Sequence, residues 1–251
     1  MSRAARYRFA FVAAAILLVE LLCRTGVIDH LTMQPPSAMV RDLVVLMASG
    51  SMDHAMLKTF ANVAIACATA VIAGVICGVA LHGRRAIRQV LEPLFATYYA
   101  IPVYAFYPLF IILFGLGDTP QILIGFMLAV VAVIVNTLNG LDRVSRVHLK
   151  TARVYRLGPV ATALKVTLPS AAPYLLTGIK LALAYAFIGV IGAEFIMSQS
   201  GLGYEIRYAY ENLDNSVMYP LILLILMVAV AVNMTLDAWD RALRARRGQG
   251  A

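Results

Sequence analysis

Six apolar blocks of roughly 20 residues, joined by short polar connections, limit how this chain can fold. A helix of about 20 residues rises about 30 Å, the depth of a bilayer's hydrocarbon core, and satisfies its own backbone hydrogen bonds on the way. The blocks occupy residues 9–22, 60–82, 94–114, 121–141, 171–196 and 217–236, the first being shorter than the rest. Hydrophobic residues make up 61% of the 251 and charged residues only 14%, whereas soluble domains average about 45–50% apolar. The expected fold is therefore an all-α membrane protein with six transmembrane helices in a lipid bilayer, with hardly any length left for a soluble domain.

A formal net charge of +8 suits either nucleic acid or a membrane surface, so the placement of the positive residues matters more than their sum. They fall between the apolar blocks, and nucleic acid is not an expected partner. Short loops rich in Lys and Arg stay on the cytoplasmic side. Arg3, Arg6 and Arg8 precede the first block, Arg84, Arg85 and Arg88 follow the second, and Arg241, Arg244, Arg246 and Arg247 follow the sixth. The fourth block is followed by Arg143, Arg146, Lys150, Arg153, Arg156 and Lys165. The opposite loops hold only Arg24, Arg41, Lys58 and Arg207, beside Asp29, Asp42, Asp53, Asp118, Glu205, Glu211 and Asp214. Both termini are expected in the cytoplasm.

The first block also resembles a secretory signal, but no small-residue cleavage site follows Leu22, and that bulky leucine before Cys23 does not suit a lipidation site. A retained helix is expected. Cys23, Cys67 and Cys77 lie in or at the end of apolar blocks, as buried inert thiols would. His30, His54, His82 and His148 are scattered without an H-E-x-x-H pair, so neither a metal site nor an intramembrane enzyme is expected. In the third block, Pro93, Pro102 and Pro108 stand among Tyr98, Tyr99, Tyr104 and Tyr107 and predict a break or kink. Gly74 and Gly78, four apart, let another helix approach closely.

The connection over 142–170 is basic and partly helical in pattern. Val144, Val147, Thr151, Val154 and Leu157 recur at steps of three or four, with Arg143, Arg146, Lys150 and Arg153 on an adjoining stripe. Gly158 offers a stop or a close approach to another surface. Such a helix suits attraction to anionic headgroups; it also suits docking, with Val147, Val154 and Leu157 waiting for a partner's groove.

Most of the chain, about 35–247, resembles the membrane subunits of bacterial binding-protein-dependent ABC importers, in the nitrate, sulfonate and taurine branch. The resemblance runs through "QPPSAMVRDL", "LEPLFATYYAIPVYAFYPLFIILFGLGD", "NTLNGL", "LPSAAPYLLTGIKLALAYAFIGVIGAEF" and "SGLGYEI". In that branch the loop before the penultimate helix carries Glu-Ala-Ala, three residues, Gly, nine residues and Ile-x-Leu-Pro. Gly158 and Leu168-Pro169 look like its anchors, but Ala152, Arg153 and Val154 replace Glu-Ala-Ala and Pro169 comes two residues early.

The resemblance implies a type I, MetI-like importer fold in the bacterial inner membrane, with a domain over 59–240 after an N-terminal helix and connection (1–58) and before a basic tail (241–251). It implies a second permease chain, a further copy of this one, with two ABC ATPase subunits and a periplasmic binding protein. No G-x-x-x-x-G-K-[ST] loop occurs, so ATP is expected on the partner and no cofactor on this chain. Val147, Ala152, Arg153, Val154, Leu157, Gly158, Leu168 and Pro169 are the expected coupling residues. Tyr99, Pro102, Lys180 and Glu194 are candidates for the path, and Gly201, Gly203, Tyr204 and Glu205 for contact with the binding protein or a plain solvated loop. Lys180 suits either passage of an anion or a structural role; at about 1.5 Å per residue it stands roughly 21 Å from Glu194, too far to pair with it. A secondary transporter or channel also fits six spans, though not the basic loop closed by Leu-Pro. The branch handles nitrate, sulfonates, taurine, bicarbonate and small heterocyclic vitamin precursors, chosen mostly by the binding protein.

Overall fold

The computed structural model describes residues 3–29 and 32–246. His30, Arg247 and the end of the basic tail lie outside these residues. Eleven α-helices follow one another among the described residues: α1 Arg3–Arg24, α2 Pro36–Ser49, α3 Asp53–His82, α4 Arg85–Thr97, α5 Tyr107–Phe114, α6 Asp118–Asp142, α7 Arg146–Val154, α8 Pro159–Thr162, α9 Leu168–Met197, α10 Leu202–Glu211 and α11 Asn215–Arg246. Four helical stretches are long and apolar enough to cross a membrane: Asp53–His82, Asp118–Asp142, Ala163–Met197 and Asn215–Trp239. The pair Arg85–Ala100 and Val103–Phe114 makes a fifth if taken as one broken span. α1 is 22 residues long, but Arg6, Arg8, Glu20 and Arg24 crowd the two ends of its apolar row.

The core is a triangle of α3, α6 and α9, each touching the other two, with α6 the most extensively packed. Lipid tails are as apolar as leucine, so helices in a bilayer gain little from hiding apolar surface and associate through close van der Waals packing. The sequence supplies the small side chains this needs. On α3 the buried positions Asn62, Ala66, Ala70, Gly74 and Gly78 recur every four residues, and α9 presents Gly178, Ala182, Ala186, Gly189 and Ala193. A Cβ on Gly74 would sit 2.5 Å from Val133 Cβ, and one on Gly78 2.7 Å from Thr137 Cβ, so this pair packs against α6 of the same chain. Between α6 and α9 the approach is backbone against backbone: a Cβ on Gly189 would lie 2.6 Å from Gly125 Cα.

The third apolar block is not one straight span. Of its three prolines only Pro102 breaks the chain. Ile101 before it is extended, as a residue preceding proline prefers, and the two halves meet at 87°. Pro93 is carried inside α4, and Pro108 opens α5, where a missing N–H costs nothing. All three cysteines are free, but only Cys23 is buried; Cys77 is exposed on α3, off its small-residue row, contrary to expectation.

Because no flexible side chain can yield at Gly189, Gly189→Val is expected to cost at least the ~1–3 kcal/mol typical of overpacking. It should lower the melting temperature in detergent or abolish the monodisperse protein. Gly83→Ala, whose Cβ would meet only Ala80 O at 3.8 Å, should leave both unchanged.

Candidate functional site

The basic connection folds as a helix, a corner and a return. Ser145 caps α7 by accepting from the Val147 N–H at 3.2 Å. The helix stops at Val154 because Arg156 turns left-handed at φ +50, while the Leu157 N–H reaches back to the Ala152 carbonyl at 3.0 Å. Gly158 is therefore not the stop; its carbonyl instead accepts from the Thr162 N–H and opens α8. Ahead of Pro169, which has no N–H to give, the ladder widens into a five-residue π turn over Ala163–Thr167 and then tightens into α9, where Leu168 and Pro169 form the first turn.

This corner splits the coupling candidates between two faces. Val147 and Val154 are 66% and 80% exposed, on one side of α7, with Arg153 also exposed. Ala152 is only 2% exposed and looks inward. Leu157 is half-buried, and a Cβ on Gly158 would meet nothing of this chain within 4 Å. The loop thus presents an uncovered apolar pair beside an open glycine.

The path candidates do not converge. Tyr99 stacks on Tyr185 with ring centroids 5.3 Å apart, in a cleft of about 440 Å³ whose polar wall is Arg88, Glu92, Asn136 and Asn139. Pro102 marks the break just beyond it. Lys180 lies elsewhere, bordering an apolar groove of about 590 Å³ between α9 and α11, with its ammonium 2.6 Å from Asp237. Asp237 escaped the sequence reading because it stands one residue past the last apolar block, yet it is an acid near the end of a span that already had a basic residue to meet. Glu92 pairs with Arg88 as its helical spacing implies, at 3.5 Å, but Asp142 takes the same guanidinium through two bonds of 2.8 and 2.7 Å and so ties α4 to the end of α6.

Glu194 is 0% exposed and belongs with the glycines that follow it. Its carboxylate accepts from Thr59 Oγ1 at 3.0 and 2.8 Å and from the Gly203 N–H at 3.1 Å, while Thr59 Oγ1 accepts from the Leu202 N–H at 2.8 Å. Gly201, at φ +102, has a conformation few other residues adopt, and a Cβ there would lie 2.4 Å from Glu194 Cδ. Gly201 and Gly203 are buried, whereas Tyr204 and Glu205 are half-buried on the following turn, where partial burial holds the Glu205 carboxyl above its ordinary range. Lys58 extends this cluster to Asp118 at 2.8 Å and Ser200 at 2.7 Å, and Arg207 donates to the carbonyls of Ile196 and Ser198. Glu194 is thus an anchor for α10. Thr59 and Gln121, polar side chains beside or inside apolar blocks, were the overlooked signal.

A helical bundle with a broken span, a polar seal at one end and an exposed helical corner in a loop describes a membrane-embedded transport component. Residues 70–249 match the profile of the family described as the binding-protein-dependent transport system inner membrane component, and the chain belongs to that family. It is a multi-pass inner-membrane permease subunit of an ABC importer, not an enzyme; ATP hydrolysis is carried out by a separate subunit. Its relatives include the taurine transport system permease protein TauC of Escherichia coli, 28% identical over 227 residues, which cover 88% of this chain and 82% of TauC. The bicarbonate transport system permease protein CmpB of Synechococcus elongatus is 30% identical over 68% of this chain and 61% of CmpB. The nitrate import permease protein NrtB of Leptolyngbya laminosa is 29% identical over 68% and 62%. These relatives support the nitrate, sulfonate and taurine branch. A chain of the MetNI methionine ABC transporter, solved in inward-facing conformations, shares the fold with a TM-score of 0.66 and 18% identity, over 76% of this chain and 95% of that one.

Glu194→Ala strands two buried donors, each costing about 1–3 kcal/mol. It is expected to lower the melting temperature and to speed limited proteolysis between residues 198 and 215; protease resistance equal to wild type would remove the anchoring role.

Proposed function

We propose that this chain pairs with a second copy of itself to form the path of a small anionic solute, a sulfonate, taurine, nitrate or a related small organic compound, delivered by a periplasmic binding protein. The bilayer holds six spans in this reading, with α1 as the first, α4 and α5 together as the third, and both termini in the cytoplasm. Residues 59–240 are the transport domain, between an N-terminal unit (1–58) and the basic tail (241–251). The carrying observation is the uncovered apolar pair Val147 and Val154 beside the open Gly158, in a chain of this family.

ATPase subunits grip α7 and the Leu157–Gly158 corner. Their closure on ATP moves this corner, and through Leu168 and Pro169 it tilts α9; hydrolysis resets it. ATP drives the change only as far as it binds one arrangement better than the other. The chain needs no cofactor of its own, since ATP stays on the partner. Tyr99 and Pro102 line the path at the broken span, and Lys180 with Asp237 flanks it. On the opposite side, Tyr204 and Glu205, set by the buried Gly201 and Gly203, meet the binding protein.

Gly158→Arg and Leu157→Glu are each expected to abolish ATP-dependent uptake and co-purification of the ATPase while the inserted protein stays at wild-type level. The first is informative because the added side chain meets open space within this chain; normal uptake in both would sink the docking role. Deletion of the gene should remove growth on one of the branch's solutes as sole sulfur or nitrogen source, which names the substrate. Lys180→Gln is expected to lower anion uptake several-fold where Lys180→Arg retains it; equal rates take Lys180 out of the path.

A further inference from the structure

Beside α7, about a quarter-turn around the helix from Val147 and Val154, lies a cavity of about 640 Å³. His148, Thr151, Ala152 and Tyr155 wall it at steps of three, one and three, a single face of α7 and its cap, while Arg143 and Lys165 close it from either side. None of the residues around it is an Asp or Glu. The neighbouring Asp142 is engaged by Arg88 and by His82 at 3.4 Å. Among the described residues, the side chains of Arg143, His148 and Lys165 make no ion pair or hydrogen bond. Two fixed positive charges and an imidazole thus face a shared concavity with no counter-charge in it.

We propose that this cavity is an anion site that takes a phosphate group. A guanidinium fork, an ammonium and an imidazole suit an anion with several acceptor oxygens better than a single halide. The volume exceeds that of a bare ion, and Pro169 and Pro173 line the cavity where α9 leaves the loop for its span. A phospholipid headgroup and free inorganic phosphate offer the same chemistry there. The wall also explains the departure at Ala152. The family motif quoted above puts a glutamate at this position, and a carboxylate there would face the cations; alanine, 2% exposed, leaves the wall without negative charge. Headgroup attraction and protein docking are then not alternatives for the basic loop, since they use adjoining faces of one short helix, with Leu157 between them.

The purified full chain tests this apart from any transport assay. After exchange into phosphatidylcholine nanodiscs doped with phosphatidylglycerol and then delipidation, wild type should retain phosphatidylglycerol, and amide exchange over 146–157 should be slowed. Ala152→Glu and the exposed pair Arg143→Gln/Lys165→Gln should each reduce retention about tenfold, one to two charge-assisted contacts' worth. Slowed exchange with millimolar inorganic phosphate, lost in both variants but without retained lipid, also supports the site and assigns it to free phosphate. The proposal is overturned if neither anion slows exchange, or if the Arg143/Lys165 variant, folded as judged by melting, binds as wild type does. It is equally overturned if that variant keeps the lipid and loses the co-purified ATPase, because the cations then serve a partner's carboxylate.

Discussion

The contact between Gly125 and Gly189 is the point on which the rest of the molecule hangs. With hydrocarbon outside, helices gain little by hiding leucines, and contact at backbone distance is what remains to hold them. The absent side chains bring α6 and α9 together there, the alanine and glycine row of α3 closes on α6 beside α9, with Ala66 reaching the same Gly125, and the three helices provide the frame. The Glu194 cluster is attached at one of its ends, and the Arg88–Asp142 pair and the basic corner at the other.

The attachments differ in kind. At the α10 end, a buried carboxylate, a threonine hydroxyl and two glycines of restricted shape leave little freedom, and lysine, arginine and glutamine side chains add further bonds around them. The other end is joined by one short helix, a left-handed arginine and a four-residue helix, with large apolar side chains left uncovered. One end is thus tied by many bonds among buried groups, and the other by few.

How far the fold was legible in the sequence follows from which forces are local. Span length and apolarity belong to each segment alone, and four of the six blocks are found as helices long and apolar enough to span, while the third is a pair of helices bent at 87° and α1 carries charges at both ends of its apolar row. Short-range pairing is equally local: Glu20 meets Arg24 at 2.6 Å, four residues away. What depends on distant segments was not legible. Pro93, Pro102 and Pro108 are alike in sequence, and only the surroundings make the second a right-angle break. Lys180 and Glu194 look alike as charges in an apolar helix, yet one meets Asp237 across a groove and the other binds a backbone N–H nine residues on. Gly158 suggested a helix stop that Arg156 supplies instead, because the Leu157 N–H can reach the Ala152 carbonyl only if the turn comes earlier.

The π turn over Ala163–Thr167 has a consequence for register. Each residue advances a helix by about 100° in azimuth, and a π turn takes up one more residue than an α turn without lengthening the rod in proportion. The corner at Leu157 and Gly158 is thereby rotated relative to the small-residue seam of α9, compared with an unbroken α-helix of the same length. The wide turn acts as a phase adjuster between the exposed corner and the buried seam, just ahead of Leu168-Pro169.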